Sequence, residues 1–233
     1  FSAPLGAKIG GLPGACGATG PERRRFWEVS VIHEQARMLE LMAELLGPER
    51  VRLSVVSYDL HEDFAREDTQ ITCTIRWVDG PTAVIEGHGV GPIDAFFNGL
   101  LGRLSKDHPS LNSLVIDKFQ VLGKLSAGTR KSQSDGLAHA IVGIRNPRGS
   151  QFEFESESRS VTRSGIDATL RAAEYFVNSE LAFIKAYKSL QHAREQKRQD
   201  LVARYTDLMS QLVRNTTYSE VIEQIRADVE GQR

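Results

Sequence analysis

Between Phe26 and Leu46 the apolar residues Val29, Ile32, Ala36, Leu39, Leu41, Met42, Leu45 and Leu46 recur mostly at steps of three and four, and Gly47-Pro48 follows as a stop signal. This spacing predicts a linker helix over 26–48. Beyond it the period changes to two. The runs Val51–Tyr58, Thr69–Trp77 and Thr82–Glu86 read as strands, the second placing Ile71, Cys73, Ile75 and Trp77 on one face. Asp79-Gly80 between the second and third is a hairpin signal, because both residues tolerate positive φ. A three-stranded meander is expected, running through Gly87-His88-Gly89-Val90-Gly91 into a helix from Pro92 to about Leu104. That helix carries Ile93, Phe96, Phe97, Leu100, Leu101 and Leu104 at helical spacing.

The same order then recurs. Ser113–Leu122, Leu137–Arg145 and Gln151–Glu157 read as strands, with Arg148-Gly149 at the second turn, and a long helix is expected from near Ser164. Ile75-Arg76 is echoed by Ile144-Arg145, and Ile93-Asp94-Ala95 by Ile166-Asp167-Ala168. These echoes predict an α+β fold made of duplicated βββα units over 50–190, with halves at about 50–106 and 110–190. The stripe Ile166, Leu170, Ala173, Phe176, Val177, Leu181 and Ile184 needs a packing partner. The polar stretch Gln191–Asp200 reads as a solvated helical face or a break. Beyond it Leu201, Tyr205, Leu208 and Leu212, then Val221, Ile222, Ile225 and Val229, predict two amphipathic C-terminal helices within 191–233, with Ser219 able to cap the last. Residues 1–25, punctuated by glycine and proline without periodicity, predict a flexible arm.

Composition narrows the partners. With 29 basic and 30 acidic residues the chain has no overall attraction for nucleic acid or an anionic membrane. No apolar run approaches the roughly 20 residues that span a bilayer. The two cysteines, Cys16 and Cys73, form no CxxC and read as free thiols of a reducing compartment, so the cytoplasm is the expected location. The first residue is Phe1 rather than methionine, which is the pattern of a piece of a longer protein.

Candidate chemistry concentrates in Gly87–Asp94. Glycines let a ligand approach the main chain, Pro92 suits the first helical turn, and Asp94 complements the positive helix end. The motif supports a pocket for a small carboxylate or phosphate. It equally supports a tight strand-to-helix connection with no ligand. A dinucleotide fold is disfavoured, since no βαβ crossover can be drawn around the motif. His33, His61, His88, His108, His139 and His192 lack metal-ligand spacing, and no Gly-x-Ser-x-Gly elbow is present. The acidic segment Asp59–Asp68 reads as a solvated hairpin loop. Neither cofactor, metal nor catalytic set is expected.

Gly87-x-Gly89-x-Gly91-Pro92-Ile93-Asp94-Ala95, followed by an apolar helix, a strand with Asp117 and then Gly128-Thr129, resembles the C-terminal regulatory domain of 2-isopropylmalate synthases and the related citramalate synthases, over roughly residues 50–185. The resemblance implies a pair of βββα units that forms a homodimer and binds a feedback-inhibiting end product, leucine or isoleucine, between subunits. It implies effector contacts at Gly89, Val90, Gly91, Asp94, Val115, Lys118 and Gly136. Val90 stands where the family usually has asparagine, Lys118 where it usually has an aromatic residue, and Thr129–Ser134 reads as an insertion. The catalytic part of such synthases is a metal-dependent TIM barrel, and nothing in these residues supplies its His-x-His. The expected role is therefore regulatory and dimerising in a leucine-biosynthesis protein, with a barrel domain or protein partner elsewhere. The alternative is a stand-alone homodimeric scaffold that docks partners through its C-terminal helices.

Overall fold

Met38, Met42 and Leu46 lie on one stripe of the first helix and are all buried, with Leu41 and Leu45 packed beside them, so over its described side chains the helix docks through this stripe. This helix, α1 (Pro21–Leu46), packs on a later long helix and on the last strand. It begins earlier than the apolar spacing predicts, since Pro21 opens the helical run and proline fits a first turn. The computed structural model describes residues 21–78, 80–124, 136–215, 218 and 221–223, with side chains from Glu34 onward, Lys124 apart. Cys16, Asp79, Gly128, the proposed insertion Thr129–Ser134 and the Ser219 cap lie outside the described residues.

Two antiparallel three-stranded sheets follow, in the orders β1-β2-β3 and β4-β5-β6. The first comprises β1 (Leu53–Asp63), β2 (Asp68–Trp77) and β3 (Thr82–Gly89) and leads into α2 (Pro92–Leu104). The second comprises β4 (Val115–Lys124), β5 (Leu137–Arg145) and β6 (Gln151–Ser158) and leads into α3 (Val161–Glu195). The fold is thus α+β with a duplicated βββα unit. Its two helices pack on each other and on the inner sheet faces, so one apolar core serves both units.

The ladders show the duplication in detail. Thr69 pairs with Gly89 and Arg76 with Thr82 in the first sheet; Ala138 pairs with Ser158 and Arg145 with Gln151 in the second. Each first strand carries a bulge at the same place, between Val55 and Ser57 in β1 and between Ile116 and Lys118 in β4. An extra residue there flips the alternation of everything before it, which makes a shared bulge a feature of the unit itself.

The echo Ile166-Asp167-Ala168 needs a correction. Helix α3 starts at Val161, capped by Ser160 Oγ accepting from the Arg163 N–H, so Asp167 sits a turn deeper in its helix than Asp94 in α2. The acidic segment is also not all loop. Asp59–Asp63 belong to β1, whose pairing continues to Asp63 opposite Asp68, because Tyr58 and Leu60 keep a two-residue alternation with Asp59 and His61. Only the tip turns, and Glu67 takes a positive φ of 50° there.

Helix α3 extends to Glu195, through much of the polar stretch; the break comes at Gln196–Arg198, where Lys197 has φ 57°. Helix α4 (Gln199–Leu212) then folds back against α3. Its apolar stripe is half-buried, and Leu212 is fully buried. The segment after it is fastened by Asn146, whose Nδ2 donates to the carbonyls of Arg214 and Asn215 while its Oδ1 accepts from the N–H groups of Arg148 and Ser150. Tyr175, Asn215, Ser179 and Tyr218 continue this as a buried hydrogen-bonded chain.

Helix α3 also anchors the connections into both sheets. Asn178 clasps Val51 from both sides, Oδ1 accepting from its N–H and Nδ2 donating to its carbonyl, each at 2.8 Å. Glu174 accepts from the Leu53 N–H. The buried Glu180 meets His108 Nδ1 at 3.0 Å and accepts from the Ser110 N–H at 3.0 Å. Among the described residues no helix is long and apolar enough to cross a membrane.

Candidate functional site

The glycine motif becomes the connection between β3 and α2, and its geometry assigns each glycine separately. A Cβ on Gly87 would sit 1.9 Å from the Ala95 carbonyl oxygen, and one on Gly89 would sit 2.4 Å from Asp94 Oδ2 and 2.5 Å from the Ala95 nitrogen. Gly99, on α2, faces back toward Glu86 and Gly87. These three glycines bring strand and helix into backbone contact. Gly91 differs: it is extended (φ −159°) and a Cβ there would meet nothing within 4 Å.

Two side chains brace the turn. Asp94 Oδ2 accepts from the Val90 N–H at 3.0 Å, and Asn98 Nδ2 donates to the His88 carbonyl at 2.9 Å. The Asp94 carboxylate thereby fills the place at the helix end that the sequence offered to a ligand anion. Val90 is held by this bond with its side chain 71% exposed. What the turn presents outward is a fixed apolar group over an open Gly91.

Beside the turn the two helix starts meet. A Cβ on Gly165 of α3 would lie 2.5 Å from Ile93 Cδ1 and 3.2 Å from a ring carbon of Phe119. Phe119 is 45% exposed, as is Val161 at 55%, one turn before Gly165 on the same face of α3. Val90, Phe119 and Val161 are thus exposed apolar groups around the junction of α2, α3 and β4.

Of the seven residues marked by the resemblance, Gly89, Val90, Gly91 and Asp94 come together in this turn. Val115 and Lys118 pair with Arg145 and Gly143 and share their outer face, on the far side of the sheet from the helices. Lys118 Nζ is bonded there to Glu153 at 2.7 Å. Gly136 precedes β5 at the other end of that sheet and is half-buried.

Phe119 is not among the residues that the resemblance marks. The bulge at Asp117 puts Lys118 outside and Phe119 inside, opposite Val142, so an aromatic group does stand on the helix side of β4, one position later in the sequence. Asp117 itself accepts from Gln151 Nε2 at 3.0 Å and lies 3.6 Å from Arg145. A Phe directly after a Lys in a strand is visible in the sequence; the bulge that selects between them is not.

Two larger clefts lie away from the turn, under α1. One of ≈ 600 Å³ is lined by Glu34, Arg148, Gln151, Phe152, Tyr175 and Arg214 among others. The second, of ≈ 420 Å³, lies between α1, β6 and α3.

A family model described as the LeuA allosteric (dimerisation) domain matches residues 33–177, more than half of the chain. No curated protein matches the chain in a sequence comparison.

Proposed function

We propose, from the premise that this chain belongs to the LeuA allosteric (dimerisation) domain family, that it binds a branched-chain amino acid, leucine or isoleucine, at an interface between two copies. A regulatory and dimerisation role in LeuA-like proteins goes with that membership. The finer reading places the amino acid at the β3–α2 turn, with Gly89, Val90, Gly91 and Asp94 on one side and a second copy on the other. Val115 and Lys118, on the outer face of β4, and Gly136, just before β5, are on this reading contributions from a neighbouring copy.

The observation that supports this reading most is the exposed apolar trio Val90, Phe119 and Val161 around a turn locked by Asp94. Apolar groups held rigidly in the open suit an apolar side chain or an apolar partner surface, and ordering costs are already met. A ligand shared between copies regulates by binding one interface arrangement more tightly than another.

Calorimetry with L-leucine and L-isoleucine tests this, combined with light scattering for the oligomeric state. A saturable heat at millimolar or lower concentration is expected, weakened about tenfold or more in Val90→Asp, where a charge replaces the apolar contact. Absence of binding by either amino acid at millimolar concentration overturns the effector reading.

A further inference from the structure

The ≈ 420 Å³ cleft is built from four parts of the chain: Gln35 and Leu39 of α1, Arg50 of the connector, Glu153–Glu155 of β6, and Arg171, Glu174, Tyr175 and Asn178 of α3. Its volume falls within the range of small-molecule sites. Its charges do not cancel. Glu153 and Glu155 turn their carboxylates to the outer face, toward Lys118 and His139, and meet the cleft through their main-chain carbonyls, which accept from Gln35 Nε2 and Arg171 Nη1. Glu174 remains the acidic side chain on the α3 wall, and one of its oxygens is already bonded to the Leu53 N–H.

Against it stand two guanidinium groups. Arg50 is half-buried, and among the described residues its guanidinium makes no hydrogen bond or ion pair. Arg171 is held by a single bond to the Glu155 carbonyl. Both act electrostatically on Glu174. Arg50 thus keeps unused donors beside the cleft while Arg171 is exposed, and a planar fork suits a carboxylate. The floor is apolar: Phe154 and Tyr175 are buried, with ring centroids 5.5 Å apart, and Leu39 overhangs them.

We propose that this cleft is a second ligand site, separate from the β3–α2 turn, which takes a small organic monocarboxylate with its carboxylate on Arg50 and Arg171 and its apolar body against Leu39 and Phe154. Because α1 forms the roof and β6 and α3 the walls, such a ligand ties α1 to the second βββα unit. It thereby stiffens the attachment of whatever α1 carries.

The probe is sodium 3-methylbutanoate, an apolar carboxylate without an ammonium group, titrated into the parent chain and into Arg50→Gln, Arg50→Lys and Val90→Asp by calorimetry or NMR. Expected are millimolar or tighter binding to the parent, a loss of about tenfold or more in Arg50→Gln, a smaller loss in Arg50→Lys, and no change in Val90→Asp. No binding to the parent, or equal binding to Arg50→Gln, overturns the proposal. Loss confined to Val90→Asp overturns it too, by moving the carboxylate to the turn. Thermal unfolding of each variant accompanies the titrations, and a misfolded Arg50→Gln leaves Arg50→Lys and the Leu39→Asp variant to decide on the same criteria.

Discussion

Val56 and Asp117 occupy the same place in the two sheets: each is the extra residue of a bulge, lying between ladder partners of the corresponding positions Ile75 and Thr74 in β2, or Ile144 and Gly143 in β5. Their side chains share nothing, one being apolar and half exposed and the other a carboxylate bonded to Gln151. What the two units keep in common is therefore backbone geometry. Deleting Val56 puts Val55 and Ser57 in direct succession opposite Ile75 and Thr74, so Leu53 and Val55 keep the inner face and only the local twist of the bulge is lost; both this deletion and Val56→Thr are expected to cost no more than about 1 kcal/mol. Urea unfolding of both variants checks this.

The glycines of the β3–α2 connection should separate cleanly under substitution. Gly87→Ala drives a methyl into the Ala95 carbonyl and is expected to destabilise by about 3 kcal/mol, while Gly91→Ala, with open space around it, changes stability by only a few tenths. Equal effects in chemical denaturation would contradict the packing role given to Gly87.

Asp94→Ala removes the acceptor of the Val90 N–H and the acidic group in the first turn of α2. By analogy with helix caps a loss of about 1 kcal/mol is expected. Asp94→Asn keeps the acceptor and should recover much of it. Hydrogen exchange at the Val90 amide, accelerated in Asp94→Ala, reports the bond directly.

Burial raises the Glu174 carboxyl above its ordinary value, partly opposed by its bond from Leu53 and by Arg50 and Arg171. A group whose folded value is raised favours folding while protonated, and that contribution fades as pH rises through the folded value. Relative to Glu174→Gln, the parent should therefore be most stable in acid and lose ground as the pH rises. Denaturant midpoints of the two proteins at pH about 4 and about 7.5 give the comparison, and a gap that moved the other way would refute the burial account.

Cys73 has no exposed surface, and burial pushes its thiol up to about 11. In a Cys16→Ser background it should resist iodoacetamide at neutral pH until the fold opens, so its alkylation rate tracks unfolding. Rapid labelling of the folded chain would show that the first sheet opens locally.

Much of this architecture is legible in the sequence because both units use strong local signals. The alternation of Ile71, Cys73, Ile75 and Trp77 survives as the inner face of β2, and Ile75-Arg76 and Ile144-Arg145 do fall on corresponding ladder positions. Ile166-Asp167-Ala168 does not mark the start of α3, because three residues carry little information about register within a helix and Ser160 caps it earlier. The turn residues Gly89, Val90, Gly91 and Asp94 lie within six consecutive positions, so the sequence shows them as one group. Phe119 and the Arg50 cleft depend on a bulge and on residues brought from Gln35 to Asn178, which no short pattern contains.

The two units are alike in their sheets but unequal in their helices. Helix α2 ends at Leu104, whereas α3 runs on to Glu195 and holds the entrance to both sheets through Asn178, Glu174 and Glu180. The first unit has thus handed its own closure to the helix of its twin. A change in α3 is therefore felt at the entrance to both sheets at once, however far along the sequence the first sheet lies.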